Sequence, residues 1–390
     1  MRTSKDMETP ESGIKNIVQF FFIAVFVMGV KRRESRVLAL PEAYGIIPRN
    51  FGGVFMAGMK VAALIPFRNE SRLLPCCLAS LKGVADMVIG MDDHSSDHSG
   101  DLVRGQGGIV LEMSGDLSGF SQGKEKVIRQ ALLDEARRRG ATHFICLDAD
   151  EVLTSPFRIY GRQLMEELAP GHKLSLRLLT LWGSARSFRD GDYSKFHRIH
   201  RNIIVRDAPD LPSYDGFLHM ARTPGSDSRD NVTRCPLEKG AILHFASEQL
   251  LPYQLKVAWY HCVELVRKPD EAERINRFYF RDWDETHLRL RRVPDQWVEG
   301  LPLDDLKPCG PSWQWAEMQR LFDEKGVEFF EPLEIWHIPQ LREEFMRRAG
   351  RPPRDVGMVT RLKRGYRRER KRFDRWFVDV ARRIRGEGEE

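Results

Sequence analysis

Short apolar runs alternate with helical stretches between Val61 and Leu147, and this alternation constrains the fold more than any other feature. Strands that alternate with helices of about ten residues form a parallel sheet with right-handed crossovers. The sequence therefore predicts an α/β fold with a mainly parallel sheet flanked by helices. The predicted strands are 61–65 (closed by Pro66), 87–91, 109–111 and 143–147, and the predicted helices are 71–81, 101–104 (with capping residues at 95–97) and 124–139.

Further along the chain the pattern changes. The leucines at 174, 176, 178 and 181 alternate with polar residues, and 241–245 is predicted to be a late strand. A helix is predicted over 250–267, on which Lys256, Tyr260 and Glu264 fall at successive i, i+4 steps.

Polar side chains follow three of these strands at the point where each strand ends. The carboxyl ends of parallel strands lie at one edge of a sheet, and ligands bind beyond that edge. We therefore expect three polar pairs, far apart in the sequence, to lie close together. The pairs are Asn69-Glu70, Asp92-Asp93 and Asp148-Asp150.

Three carboxylates, Asp148, Asp150 and Glu151, stand directly behind the apolar run of the fourth strand. Carboxylates this close repel one another, so they need solvent, a basic partner or a cation. A hard divalent ion takes oxygen ligands from one or two carboxylates and the rest from water and phosphate. The spacing suggests a metal-diphosphate site, and it leaves open an acidic helix N-terminus as the alternative.

Three segments, 61–70, 91–97 and 147–151, together resemble the family 2 glycosyltransferases of the GT-A fold. The resemblance extends from Met59 to Glu151 and is weaker as far as Arg267. It implies a GT-A (Rossmann-like) domain that binds a nucleotide-sugar donor with Mn²⁺ or Mg²⁺. The implied reaction transfers the sugar to an acceptor hydroxyl with inversion at the anomeric carbon.

The resemblance also implies roles for single residues. Three of these residues also have a purely structural interpretation. Asp93 could cap a helix, Arg129 could be an exposed charge on its helix, and His244 could be a hydrogen-bonded histidine of the core. Glu151 is given no part in the site. The nucleotide-binding set is Pro66, Asn69, Glu70, Asp92, Asp93 and Arg129, the metal-binding set is Asp148, Asp150 and His244, and one general base is expected among Asp215, Glu238 and Glu248.

The predicted activity is a glycosyltransferase that acts in polysaccharide or glycoconjugate synthesis on a glycan or glycolipid acceptor. A nucleotidyltransferase is the alternative enzyme, since similar acidic sites bind nucleotide and metal, and it would release pyrophosphate. A protein that acts by binding a membrane or nucleic acid through its basic tail is the non-enzymatic alternative. Six cysteines without regular spacing favour a reducing compartment, hence a cytoplasmic location.

The chain is predicted to divide into 1–58, 59–267 and 268–390. The first segment contains the apolar run 17–30 and is interpreted equally as a leader or membrane anchor, or as a mis-assigned start. The last is predicted to be a mainly helical, basic extension. Its apolar residues Phe373, Trp376, Phe377 and Val380 fall on one helical face, which favours an anionic membrane surface, at the inner side of the membrane, over nucleic acid. A helix that packs on its own domain is the equal alternative.

Overall fold

The computed structural model describes residues 58–113, 123–190, 199–215, 221–225, 230–283, 288–310 and 312–354. All of them belong to one compact unit, Ala57–Glu390. The apolar run 17–30 and the apolar face predicted at 373–380 lie outside these residues. Among the helices of the described ranges, none is long and apolar enough to cross a membrane.

Eleven strands of the described residues form one mixed sheet. β1 to β4 are mutually parallel and lie in the order β3-β2-β1-β4. Beyond β4 the order continues β8-β6-β7-β11. β10 runs parallel to β6 and antiparallel to β5, and it pairs with both. The strands are β1 (Val61–Phe67), β2 (Met87–Asp92), β3 (Ile109–Glu112), β4 (His143–Cys146), β5 (Glu151–Leu153), β6 (Lys173–Trp182), β7 (Ser187–Arg189), β8 (Ile199–Arg206), β9 (Val232–Arg234), β10 (Ala241–Ser247) and β11 (Leu290–Arg292).

Helices cover both faces of the parallel strands. Alternate residues of β1 face opposite layers. Val61, Ala63 and Ile65 pack against the helix Leu74–Leu81, whereas Ala62 and Leu64 pack against the helix Lys124–Arg138. The helices are α1 (Leu74–Leu81), α2 (Ser99–Gly105), α3 (Lys124–Arg138), α4 (Ser155–Glu166), α5 (Leu250–Arg267), α6 (Ala272–Trp283), α7 (Trp313–Lys325) and α8 (Pro339–Ala349), with short 3-10 turns at Pro269–Glu271, Asp295–Trp297 and Val327–Phe330.

The described part of the C-terminal region is mainly helical and packs on α5. Trp259 meets Trp313 edge to face at 4.9 Å between ring centroids, and Tyr260 stacks on Tyr279 at 6.1 Å. Residues of α5, α6, α7 and α8 share one apolar core. This architecture confirms the predicted fold class at the level of an α/β sheet flanked by helices, with a mainly helical C-terminal region.

Several predicted element bounds differ from the observed ones. β1 continues through Pro66 to Phe67, because both residues still pair with β2. The pairing with β4 ends earlier, at Leu64 and Cys146, so the residue that lacks an N–H stands beyond that pairing. α1 begins at Leu74 rather than at 71. α5 has the predicted bounds.

The sequence did not predict β8 or the continuous burial of β6. β8 has three consecutive buried residues, Ile203, Ile204 and Val205, because it lies between β6 and β4 inside the sheet. β6 was expected to alternate, yet nine of its ten residues are buried. Interior strands covered on both faces lose the alternation that a half-exposed strand shows.

Candidate functional site

The site lies where the strand order reverses. The chain runs from β1 outward to β2 and β3, and then returns to place β4 on the other side of β1. Such a switch point leaves a crevice outside the carboxyl ends of the two central strands. Asn69 and Glu70 follow β1 there, and Asp148 and Asp150 follow β4.

Hydrogen bonds join the loop after β1 to the loop after β2. The side-chain amide oxygen Oδ1 of Asn69 accepts from the Ser96 N–H at 2.7 Å, and the Ser95 hydroxyl accepts from the Asn69 N–H at 3.0 Å. The Glu70 N–H donates to the Ser99 hydroxyl at 2.8 Å. Asn69 adopts φ 55°, in the left-handed region that asparagine tolerates best among residues with a Cβ. The Asn69 side chain therefore holds the two loops together.

The two aspartates after β2 have different partners. Asp92 Oδ1 accepts from the Ser95 N–H at 2.8 Å, so this carboxylate shapes its own loop. Asp93 Oδ1 lies 2.6 Å from Lys124 Nζ, at the start of α3. Both aspartates are half-buried at the carboxyl edge. Pro66 lies within β1 one residue before its end.

Two arginines hold Asp148. Arg129, on α3, donates from Nη2 to Asp148 Oδ1 at 2.9 Å, and its side chain is only 5% exposed. The Arg222 guanidinium pairs with the other carboxylate oxygen. Arg129 is thus a buried partner of the acidic motif, and the exposed helix charge left open by the sequence does not apply.

Arg222 also pairs with Glu151. Its Nη2 lies 2.9 Å from Glu151 Oε1, and Glu151 Oε2 accepts the Asp148 N–H at 3.0 Å. Glu151 is fully buried, and burial together with the charge of Asp150 raises its pKa to about 8. The Tyr214 hydroxyl donates to the Arg222 carbonyl at 2.8 Å, which fixes the backbone of Arg222. Glu151 therefore supports the turn that carries the two aspartates.

Asp150 has a separate environment. Its Oδ2 lies 3.5 Å from His244 Nε2 and 3.9 Å from Lys256 Nζ. The Phe245 N–H donates to the Asp150 carbonyl at 2.9 Å, which places His244 of β10 beside the carboxylate. Burial acts to raise the pKa of Asp150, but His244 and Lys256 hold it below its usual range. The His244 imidazole thus faces an acid and is half-buried.

Glu70 lies near the same group of charges. Burial and the charge of Asp150 raise the pKa of Glu70 to about 8, although Lys256 and Arg72 act in the opposite direction. The described residues contain no cluster of three or more His, Cys, Asp or Glu side chains arranged to hold a metal. Asp150 and His244 are one acid–imidazole pair at this edge that could share a divalent ion.

The three candidate bases lie in different places. Glu248 follows β10 at its carboxyl end, is nearly buried, and pairs with Arg72 at 2.8 Å. Asp215 is almost fully exposed, with Lys126 Nζ at 4.0 Å. Glu238 is exposed and precedes β10, whereas His244 lies in the second half of that strand. Only Glu248 follows the carboxyl end of a strand that carries a site residue.

Sequence reasoning missed three cations of this edge as site residues: Lys124, Arg222 and Lys256. Arg222 follows Asp148 by more than seventy residues and lies in no recognisable motif. Lys256 falls at helical spacing with Tyr260 and Glu264, which indicated a helix face but no ligand. The only local signal was the excess of acids, since clustered carboxylates require compensating charge.

No protein-family model matches the chain, and no curated protein shows significant similarity to it. Among solved structures it is similar to S. aureus TarS, at 15% identity and a TM-score of 0.32 over 57% of this chain and 44% of that one. It is also similar to S. aureus TarS 1–349, at 14% identity and a TM-score of 0.31 over 77% of this chain and 95% of that one.

A third similar structure is Mycobacterium tuberculosis glucosyl-3-phosphoglycerate synthase in complex with Mn²⁺, uridine diphosphate and phosphoglyceric acid. It is 19% identical, with a TM-score of 0.24 over 32% of this chain and 44% of that one. The chain thus spans less than half the length of this synthase and of the longer TarS chain. Similarities at these TM-scores carry no functional assignment.

Proposed function

We propose that the protein is a metal-dependent glycosyltransferase that uses a nucleotide-sugar donor. The observation that supports this most is the pairing of Asp150 with His244 at the carboxyl edge of the sheet. Asp150 lies in the turn after β4, His244 lies in β10, and their side chains are 3.5 Å apart. Neighbouring ligands of an octahedral ion at roughly 2.1 Å are about 3 Å apart, so only a small adjustment is needed. Mn²⁺ accepts both imidazole and carboxylate, and either Mn²⁺ or Mg²⁺ keeps open positions for diphosphate oxygens and water.

The metal role falls on Asp150 and His244 rather than on Asp148. Both Asp148 oxygens already pair with guanidinium groups, so a cation there would have to displace Arg129 and Arg222. Asp148 would instead keep these arginines beside the donor, where a guanidinium can contact phosphate in a bidentate manner. The nucleotide would lie against the loop of Asn69 and the loop of Asp92, both of which follow strands that end at this edge. Hydrogen bonds between these loops and within the loop of Asp92 fix their positions.

A bound divalent ion offsets the charge that develops on the departing nucleoside diphosphate. The chain's own residues supply the remaining steps. Arg129 and Arg222 fix the acidic turn, the two loops position the nucleotide, and a carboxylate accepts the proton of the attacking acceptor hydroxyl. Inversion at the anomeric carbon follows from attack on the face opposite the leaving group.

We assign the base to Glu248 on the strength of its position beyond the carboxyl end of β10. Its ion pair with Arg72 holds the carboxylate in place, and the acceptor must then approach along the same edge. We expect Glu248→Gln to lower the transfer rate by about 10²- to 10⁴-fold with little change in donor affinity. Glu238→Gln is the matched control and should leave the rate unchanged; equal losses in both variants would count against this assignment, and Asp215→Asn would then be tested.

The acceptor is proposed to be a glycan or glycolipid hydroxyl, and the setting polysaccharide or glycoconjugate synthesis in the cytoplasm at the inner side of the membrane. The nucleotidyltransferase alternative differs in its leaving group. A nucleotidyltransferase releases pyrophosphate, whereas a glycosyltransferase releases a nucleoside diphosphate. Identification of the released phosphate species separates the two.

The decisive experiment is a screen of nucleotide-sugar donors with Mn²⁺ or Mg²⁺ on wild type, Asp150→Asn and His244→Gln. We expect release of a nucleoside diphosphate that chelation abolishes and that Asp150→Asn lowers by at least about 10²-fold, the scale that electrostatic stabilisation of a leaving group supplies. Asp101→Asn, an exposed acid of α2, is the control. Metal-independent release, or an unchanged rate in Asp150→Asn, would overturn the proposed metal site.

A further inference from the structure

Lys256 shares one oxygen of Asp150 with His244. Its ammonium lies 3.9 Å from Asp150 Oδ2, the same atom that lies 3.5 Å from His244 Nε2. The ammonium therefore stands at the carboxylate to which the proposed function assigns a divalent ion. A cation in this position repels an incoming metal ion.

The packing of α5 holds the backbone of Lys256 in place, whereas its side chain remains about one-third exposed, at 34%. The helix that carries Lys256 is anchored by the Trp259–Trp313 contact, one turn further along. A metal ion can therefore displace the side chain without movement of α5.

We propose that Lys256 is an internal counter-ion that occupies Asp150 before metal binding and passes to the donor diphosphate when Mn²⁺ or Mg²⁺ takes that carboxylate. This inference rests on the proposed function. A diphosphate bound to an ion at Asp150 brings its oxygens within reach of the ammonium, since the side chain already contacts the same carboxylate. Metal and diphosphate then bind cooperatively. The diphosphate draws the ammonium away from Asp150 and so reduces its repulsion of the metal ion, and the metal ion releases the ammonium from Asp150 and so makes it available to the diphosphate.

Lys256→Met tests this coupling, because it removes the charge and retains most of the side-chain length. We expect Mn²⁺ alone to bind this variant about tenfold more tightly than wild type, within the range of ordinary coupling factors. The gain in Mn²⁺ affinity on addition of inorganic diphosphate should fall by about the same factor. Isothermal titration calorimetry of the full chain measures both quantities without any turnover.

Two variants serve as controls. Lys256→Arg retains the charge and should keep the wild-type cooperativity. Lys268→Met removes an exposed lysine that lies 4.0 Å from Glu271 at the end of the same helix, and it should change neither affinity. A merely structural role for Lys256 would lower the unfolding temperature without tightening Mn²⁺ binding. If Lys256→Met does not fold, Lys256→Gln carries the same expectation.

Asp150→Asn distinguishes failure of this inference from failure of the proposed function. If wild type binds Mn²⁺, Asp150→Asn does not, and Lys256→Met binds Mn²⁺ alone no more tightly than wild type, the counter-ion is disproved and the metal site stands. If Mn²⁺ binding does not depend on Asp150, both are overturned.

Discussion

Asp148 and Asp150 stand two positions apart, yet their side chains have different chemistry around them. Asp148 pairs with Arg129 and Arg222, whereas Asp150 faces His244 and Lys256. The turn between β4 and β5 separates them, so one carboxylate points to the α3 side and the other to β10. The motif alone presents two equivalent acids, and their partners make them different.

The two aspartates should therefore differ in their effect on stability. Asp148→Asn removes one of the two carboxylate partners of Arg129, which keeps Glu125, and of Arg222, which keeps Glu151. We expect it to lower the free energy of unfolding by about 1–3 kcal/mol, less than the loss of a fully buried pair costs, because Asp148 is partly exposed. Asp150→Asn removes the anion that His244 and Lys256 stabilise, but it also relieves the repulsion with Glu70, so we expect it to lower the free energy of unfolding by less than Asp148→Asn does. Urea unfolding in the presence of EDTA measures both. A greater loss in Asp150→Asn would contradict the assigned ion pairs.

His143 makes the stability depend on pH in a region remote from the site. It lies at the start of β4, is buried, and has a pKa lowered by burial and by Arg206 from 6.5 to about 4. Between these values the unfolded chain binds a proton that the folded chain does not, so stability falls as pH falls from 6.5 toward 4. The loss is on the order of 2–3 kcal/mol. His143→Gln should flatten this dependence in urea unfolding at pH 7, 5.5 and 4.5; an unchanged slope would show that His143 does not cause it.

At the scale of elements, the loop between β1 and α1 and the loop between β2 and α2 behave as one structure. Asp97 connects them, because its carboxylate accepts from the Ser71 N–H and the Ser99 N–H, both at 3.0 Å. Burial acts to raise the pKa of Asp97, but these bonds hold it below its usual range. The capping chemistry predicted after β2 thus reaches across to the neighbouring strand's loop.

Loss of this connection should weaken nucleotide binding as well as folding. We expect Asp97→Ala to lower the free energy of unfolding by about 1–2 kcal/mol, because it removes the acceptor of two backbone N–H groups, and to reduce nucleoside diphosphate affinity. Asp101→Ala, in the exposed first turn of the same helix, is the control and should do neither. Calorimetric titration and urea unfolding give the two readouts. Wild-type affinity in Asp97→Ala would mean that the loops hold their position without it.

At the scale of the whole molecule, the helical C-terminal region completes the core around α5. Trp259, Cys262 and Leu265 are buried in the core that this region shares. A chain that ends at Arg267 would expose that apolar surface, so we expect it to aggregate or to unfold without a cooperative transition. A chain that ends at Arg354 retains every described residue and should elute without aggregates in size-exclusion chromatography and unfold cooperatively. If residues 59–267 fold alone with a cooperative transition, they are the separate domain that the sequence predicts.

The sequence by itself determined the order of the first strands and helices and the edge at which the acids meet. These follow from apolar spacing and from strand direction, which are local properties of the chain. Strands such as β8 escaped prediction because burial between two neighbours removes their alternation.

The tertiary structure alone decided which cations each acid contacts. Arg222 reaches Asp148 and Glu151 from a distant segment, and His244 and Lys256 reach Asp150 from β10 and α5. The charge state of a carboxylate depends on the solvent and cations within a few ångströms of it. Packing brings those cations there, and no local pattern in the sequence records them.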